Sequence, residues 1–151
     1  MTQTRTGDAF MPADEYGRTL PNFSVNLLVR DVNRSLPFYR DVLTATVRYA
    51  DNDFAALQLQ GVDCMLHADH SYDHHPLYAR LTGVDRRGTG VELRVLGIDP
   101  DAVEQRAKQA GTEILHATRD FPHGWREIAV VDPDGYVWVV GIATPASHSD
   151  Q

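Results

Sequence analysis

Few residues of this chain have the type and placement for chemistry, and they fall on the polar side of alternating stretches. His67 ends one such stretch, Glu92 and Arg94 sit two apart on another, and Glu127 lies on a third. An imidazole titrates near neutrality and can donate, accept or shuttle a proton. A carboxylate such as Glu92 serves as a general base near neutral pH once burial raises its pKa. Glu92 and Arg94 share a strand face within ion-pair reach, and the guanidinium suits a planar acceptor. Asn26, Gln58 and Met65 occupy equivalent positions on other strands. Trp125 opens a strand beside Gly124, where an indole can stack on a flat ligand. Each residue also has an ordinary role: a salt bridge for Glu92 and Arg94, packing for Trp125, a half-solvated strand end for His67. The expected ligand wall is therefore Asn26, Gln58, Met65, His67, Glu92, Arg94, Trp125, Glu127 and Tyr78. His67 and Glu92 are the catalytic candidates if the protein is an enzyme.

The segment from His67 to Gly90 carries His70, His74, His75, Tyr72 and Tyr78. Its histidines lack the helix or strand spacing that fixes metal geometry, so it reads as a crossover lid contributing Tyr72, His75 or Tyr78. His123 stands on a second rim loop. Cys64 alternates with Met65 and reads as a buried thiol without chemistry.

Two similar sets of elements must position these groups. Phe23, Val25, Leu27 and Val29 alternate with polar or smaller partners and predict a strand. Asp31 or Asn33 then caps a helix through Leu43, with Leu36, Tyr39, Val42 and Leu43 as its buried stripe and Pro37 in its first turn. Short strands follow at Thr46–Ala50, Phe54–Gln60 and Asp63–His67. The order repeats: a strand from Val91, a helix opened by Asp99-Pro100 and closed by Gly111, then strands at Glu113–Ala117, Trp125–Val131 and Tyr136–Ile142. The helix stripe here is Val103, Ala107 and Ala110. Residues 1–20 and 143–151 lack periodicity and read as tails. The expected organisation is a mobile N-terminal tail over 1–20, a βαβββ module over 21–69, a linker or lid over 70–89, a second βαβββ module over 90–142 and a C-terminal tail over 143–151. The fold class is α+β, with two tandem modules forming a curved sheet around a cleft.

The stretches VNLLVRDVNRSLPFYRDVL (Val25–Leu43) and WREIAVVDPDGYVWVV (Trp125–Val140), in this order, resemble the vicinal oxygen chelate superfamily. That family includes glyoxalase I, extradiol dioxygenases, fosfomycin-resistance proteins and bleomycin-binding proteins. The resemblance implies that metal-dependent relatives place ligands at four cleft-facing positions. The equivalent positions here are Ser24, a site near His67, Gly90 and Val139. Serine, glycine and valine do not replace imidazole and carboxylate ligands. The chain therefore resembles the metal-free, bleomycin-resistance-like branch, with no metal and no cofactor, and the resemblance implies a homodimer.

Composition narrows the partners. The chain has 151 residues, a net charge of −7, one cysteine and no long basic run. Nucleic-acid affinity rests on neutralising phosphates, so no nucleic-acid partner is expected. No apolar run reaches a membrane span, and no leader pattern is visible, so a cytoplasmic setting without membrane partners is expected. The leading expectation is a small-molecule-binding protein that sequesters an antibiotic or other bulky metabolite in the inter-module cleft. The alternatives are a metal-independent isomerase, cyclase or epimerase using His67 or Glu92, then a metal-dependent lyase or dioxygenase, then a scaffold with an incidental cleft.

Overall fold

A computed structural model describes residues 10–146. The chain divides into two compact units, Met1–Arg87 and Gly88–Gln151. The first contains α1 (Ala13–Thr19), β1 (Val25–Val29), α2 (Val32–Pro37) continued by a π-helical turn (Phe38–Val42), β2 (Thr46–Ala50), β3 (Phe54–Leu59), β4 (Val62–Ala68), a 3-10 turn (Asp69–Tyr72) and α3 (Pro76–Arg80). The second contains β5 (Glu92–Leu96), α4 (Pro100–Ala110), β6 (Glu113–Asp120), β7 (Trp125–Val131) and β8 (Val137–Ala143). Each unit forms a four-stranded sheet, ordered β1-β4-β3-β2 and β5-β8-β7-β6. The first strand of each lies parallel to the last, and the other neighbours are antiparallel. This is the expected α+β architecture of two tandem βαβββ modules.

In the first unit α2 packs on β3 and β4. The face beneath it carries Leu27, Val29, Ala55, Leu57 and Leu66, all buried. Asp31 caps α2 by accepting from the Asn33 and Arg34 amides at 2.9 and 3.3 Å, a contact worth about 1 kcal/mol. Pro37 is not in the first turn, as the sequence suggested, but at the end of α2. Without an amide hydrogen it breaks the regular ladder, and the chain widens into the π turn, where Leu43 N–H donates to the Phe38 carbonyl at 3.1 Å. The wider turn brings Phe38 and Tyr39 together into the core. Leu36, expected there, is only half-buried.

Part of the expected N-terminal tail is helical. Seven residues cannot hold a helix alone. What holds α1 is the burial of Tyr16 against Phe54 and Ala56, with Met11, Leu20, Tyr49 and Met65 around it. A single aromatic anchor produces no periodicity, so α1 leaves no local pattern to read. Residues 1–9 and 147–151 lie outside the described residues.

In the second unit Asp99 caps α4 by accepting from Asp101 N–H at 3.0 Å, Pro100 starts it, and Gly111 ends it at φ 68. Val103 and Ala107 are buried on the sheet, whereas Ala110, expected in the same stripe, is exposed. β6 runs to Asp120, past the expected end, by absorbing two register shifts. Strands β1 and β5 begin later than their patterns suggested, leaving Phe23 75% and Val91 54% exposed. The Asp132–Gly135 turn is fastened by the Asp132 carboxylate, which accepts from the Asp134 and Tyr136 amides at 2.9 and 2.8 Å. Among the described residues no helix is long and apolar enough to cross a membrane.

Candidate functional site

The registers of β1, β3 and β4 decide which side chains meet. Asn26 stands beside Met65, Leu28 beside His67, Phe54 opposite His67, and Gln58 opposite Asp63. Asn26, Gln58, Met65 and His67 thus lie on the sheet face away from α2, as alternation suggested. Asn26 Nδ2 donates to the Tyr72 hydroxyl at 2.8 Å, and Asn26 Oδ1 lies 2.6 Å from His67 Nδ1. With its amide nitrogen committed to Tyr72, Asn26 presents an acceptor to the ring. His67 therefore carries its hydrogen on Nδ1, and the neutral ring keeps its lone pair on Nε2. Phe54 and Tyr72 hold the ring, with centroids 4.9 and 5.0 Å away.

The 3-10 turn that supplies Tyr72 is tied down at both ends. Ser71 Oγ donates to the Ala68 carbonyl at 2.7 Å. Arg87 makes a two-pronged pair with Asp69, at 2.7 Å for each contact, and donates to the Leu28 carbonyl at 3.1 Å. His70 Nε2 lies 2.5 Å from the carboxylate of Asp53, which is buried beside β3. His75 Nδ1 accepts from the Leu77 amide at 3.0 Å and caps α3, so the His75 ring carries its hydrogen on Nε2 when neutral.

Between strands and turn lies a cavity of about 440 Å³. Asp53, Phe54 and His67 line the strand side; Ser71, Tyr72, Asp73, His74 and His75 line the turn side. The volume lies within the range of small-molecule sites. The sequence anticipated His67, Tyr72 and His75. It missed Asp53, whose signal was slight: an acid just before a strand, followed by an aromatic on the His67 face.

The other expected wall residues are differently employed. Met65 is half-buried beneath Tyr16 of α1, and Gln58 donates to Asp63 at 3.4 Å. Tyr78 lies on α3, exposed, and does not line the cavity. In the second unit Glu127 is only 3% exposed. Arg94 Nη2 lies 2.6 Å from it, and His123 Nε2 3.4 Å from its other oxygen. Arg94 also reaches Glu92 at 3.4 Å and lies 5.0 Å from the Trp125 ring centroid. A buried carboxylate requires such partners. Arg94 is thereby committed to Glu127 and Trp125. The Glu92 side chain is 60% exposed and stands outside the buried Glu127 carboxylate's immediate contacts with Arg94 and His123. Gly141 makes room for Glu127: a Cβ there would stand 2.9 Å from the Glu127 Cβ and 2.3 Å from the Arg126 carbonyl.

Of the positions that the resemblance likens to metal ligands, those in the first unit are Ser24 and a site near His67; those in the second are Gly90 and Val139, and Val139 is completely buried. Among the described residues no three His, Cys, Asp or Glu side chains converge on a point. Serine, glycine and valine are not the imidazole and carboxylate ligands that a divalent cation takes.

Comparison with known proteins agrees with the fold. A family model described as the Glyoxalase/Bleomycin resistance protein/Dioxygenase superfamily matches residues 23–140. No curated protein matches the chain significantly. A glyoxalase/bleomycin resistance protein/dioxygenase from Nocardioides is 21% identical over 91% of this chain and 97% of its own, with a TM-score of 0.65. A protein of unknown function from Agrobacterium tumefaciens is 26% identical over 82% of this chain and 95% of its own, with a TM-score of 0.61. The genomically encoded fosfomycin resistance protein FosX from Listeria monocytogenes is 17% identical over 82% of this chain and 93% of its own, with a TM-score of 0.59. With two βαβββ units and a family match spanning both, the chain belongs to the glyoxalase/bleomycin resistance protein/dioxygenase superfamily.

Proposed function

We propose that the protein binds a small organic molecule in the first unit's cavity and sequesters it without a metal. The observation that carries this reading is the His67–Asn26–Tyr72 hydrogen-bonded chain, with Asn26 at its centre and its two ends, His67 and Tyr72, lining the 440 Å³ cavity. It fixes the tautomer and orientation of one imidazole and one phenol before any ligand arrives, which lowers the ordering cost of binding. The ligand class is an antibiotic or bulky metabolite with hydrogen-bonding groups. The fold likeness to FosX, a fosfomycin resistance protein by name, is compatible with that class. A homodimer belongs to the same reading and is checked by sedimentation velocity. Calorimetric titration against a panel of antibiotics and polar aromatic metabolites tests the binding. Micromolar binding of a panel member, weakened about tenfold or more by Asn26→Leu, is expected. Millimolar binding across the whole panel sinks the proposal.

The His67 tautomer favours a second reading, a metal-independent isomerase, cyclase or epimerase. Nε2 of a ring locked through Nδ1 presents the lone pair that a general base needs. Turnover of a bound panel compound that disappears in His67→Ala while binding persists supports it. Turnover unchanged in that variant removes His67 from the chemistry.

A further inference from the structure

We infer that the first unit holds a second, apolar compartment beneath α1 that takes a single uncharged aromatic ring, so that the ligand is an amphiphile with its ring under α1 and its polar end at His67. The inference rests on the small-molecule reading above and specifies the ligand class. The compartment is a cavity of about 200 Å³. Ala13, Gly17 and Leu20 of the α1 segment line one side, and Phe54, Met65 and His67 of the sheet line the other. Phe54 and His67 also line the larger cavity, so these two side chains are the wall common to both. One side of that wall is carboxylate- and imidazole-rich; the other carries aromatic rings, thioethers and aliphatic carbon.

Size and composition select the occupant. An apolar cavity of roughly 150 Å³ stays dry and takes benzene, so 200 Å³ accommodates one ring with a short substituent. Phe10 and Tyr16 line it, edge-on at 5.6 Å, and Tyr49 stacks behind Phe10 at 5.0 Å. Offset and edge contacts of this kind favour a further ring. Arg48, 6.0 Å from the Phe10 ring centroid, stands at that ring rather than among the lining residues.

Gly17 argues that the space is kept rather than left over. Glycine weakens a helix relative to alanine. A Cβ at Gly17 would meet nothing within 4 Å, so packing does not demand glycine there. What the missing side chain preserves is open volume on the α1 side of the compartment.

Met11 and Met65 line the compartment, so the test uses the full chain with 13C-labelled methionine methyls. The probes are toluene, phenylacetamide and acetamide. Toluene and phenylacetamide should shift both methyls saturably, phenylacetamide about tenfold more tightly because its amide reaches the His67 side, while acetamide leaves them unmoved. Gly17→Leu should weaken toluene at least tenfold with an unchanged or higher Tm; Ala13→Leu serves if that variant fails to fold. The inference is overturned if neither arene moves the methyls up to its solubility, or if both filling variants bind toluene like the wild type. Toluene binding lost in the filling variants, with no advantage for the amide, supports the compartment while counting against the polar site. A panel ligand that binds with the methyls unmoved keeps the polar site and overturns the compartment.

Discussion

The clamp between Arg87 and Asp69 gives the sharpest test of how the site is held. The Arg87 side chain is 4% exposed and that of Asp69 22%, so solvent screens the pair little. Asp69→Ala removes two charge-assisted hydrogen bonds, each worth about 1.5–3 kcal/mol. It also strands a buried guanidinium that keeps the Leu28 carbonyl as an acceptor. Breaking one side of a buried pair costs about 3–5 kcal/mol. With a urea dependence of about 2 kcal/mol per molar, the unfolding midpoint should fall by roughly 2 M. The loss should resist 0.5 M salt, because a buried pair is screened far less than a surface one. Local effects should match: the amides of the 3-10 turn lose hydrogen-exchange protection, and the His67 ring resonances broaden as Tyr72 is released. Asp69→Leu combined with Arg87→Met should recover most of the stability, since an apolar pair of similar volume replaces the ions. A midpoint shift under about 0.5 M for Asp69→Ala, or a double variant as unstable as the single ones together, refutes the reasoning.

Three further outcomes follow from other contacts. Among the described residues the buried Tyr16 hydroxyl has no hydrogen-bond partner, so Tyr16→Phe should stabilise the protein by about 1 kcal/mol. Burial first, and then the Asp63 charge, raises the Tyr16 pKa; the unfolded phenol ionises first as pH passes about 10, so wild type loses stability there and its gap to Tyr16→Phe widens in alkaline urea melts. Gly141→Ala forces a Cβ onto the Arg126 carbonyl and should destabilise by about 1–3 kcal/mol in thermal or urea unfolding; a neutral result would mean that β7 and β8 separate freely. Hydrogen bonds from Arg126 hold the Asp101 carboxyl below its ordinary range. Its contribution is therefore present above about pH 4 and lost as pH falls through the folded value; Arg126→Met should return the carboxyl titration, followed by NMR, to the ordinary range.

The elements were legible where period and punctuation agreed. Asp31, Asp99-Pro100, Gly111 and the Asp132–Gly135 turn bound their elements as their types require. Alternation placed Asn26, Gln58, Met65 and His67 on one face because strand register preserves parity. Local pattern could not reveal α1, whose stability comes from Tyr16 against residues far along the chain. It could not place the π turn either, because a proline at the end of one helical turn resembles a proline at the start of another. The site was half legible for the same reason: His67 announces itself, while its orientation by Asn26 and the Asp53–His70 contact depend on segments distant in sequence. The Glu92, Arg94 and Glu127 positions were visible, but not that Glu127 is buried and claims Arg94.

The strand order has a consequence for how the chain is made. In each sheet the strand synthesised last lies inside, and the first strand has no other neighbour. Val25 waits for Cys64, and Glu92 for Val137. Until β4 emerges, β1 is an open edge whose partner is still unmade, and closing such distant pairings is slow. Once β4 and the turn after it have formed, however, the first sheet needs nothing from the second to complete its hydrogen bonding. A chain released after Arg87 contains every strand of the first sheet and the whole His67 wall, whereas one ending before Val62 keeps only the β2–β3 pairing and has no site.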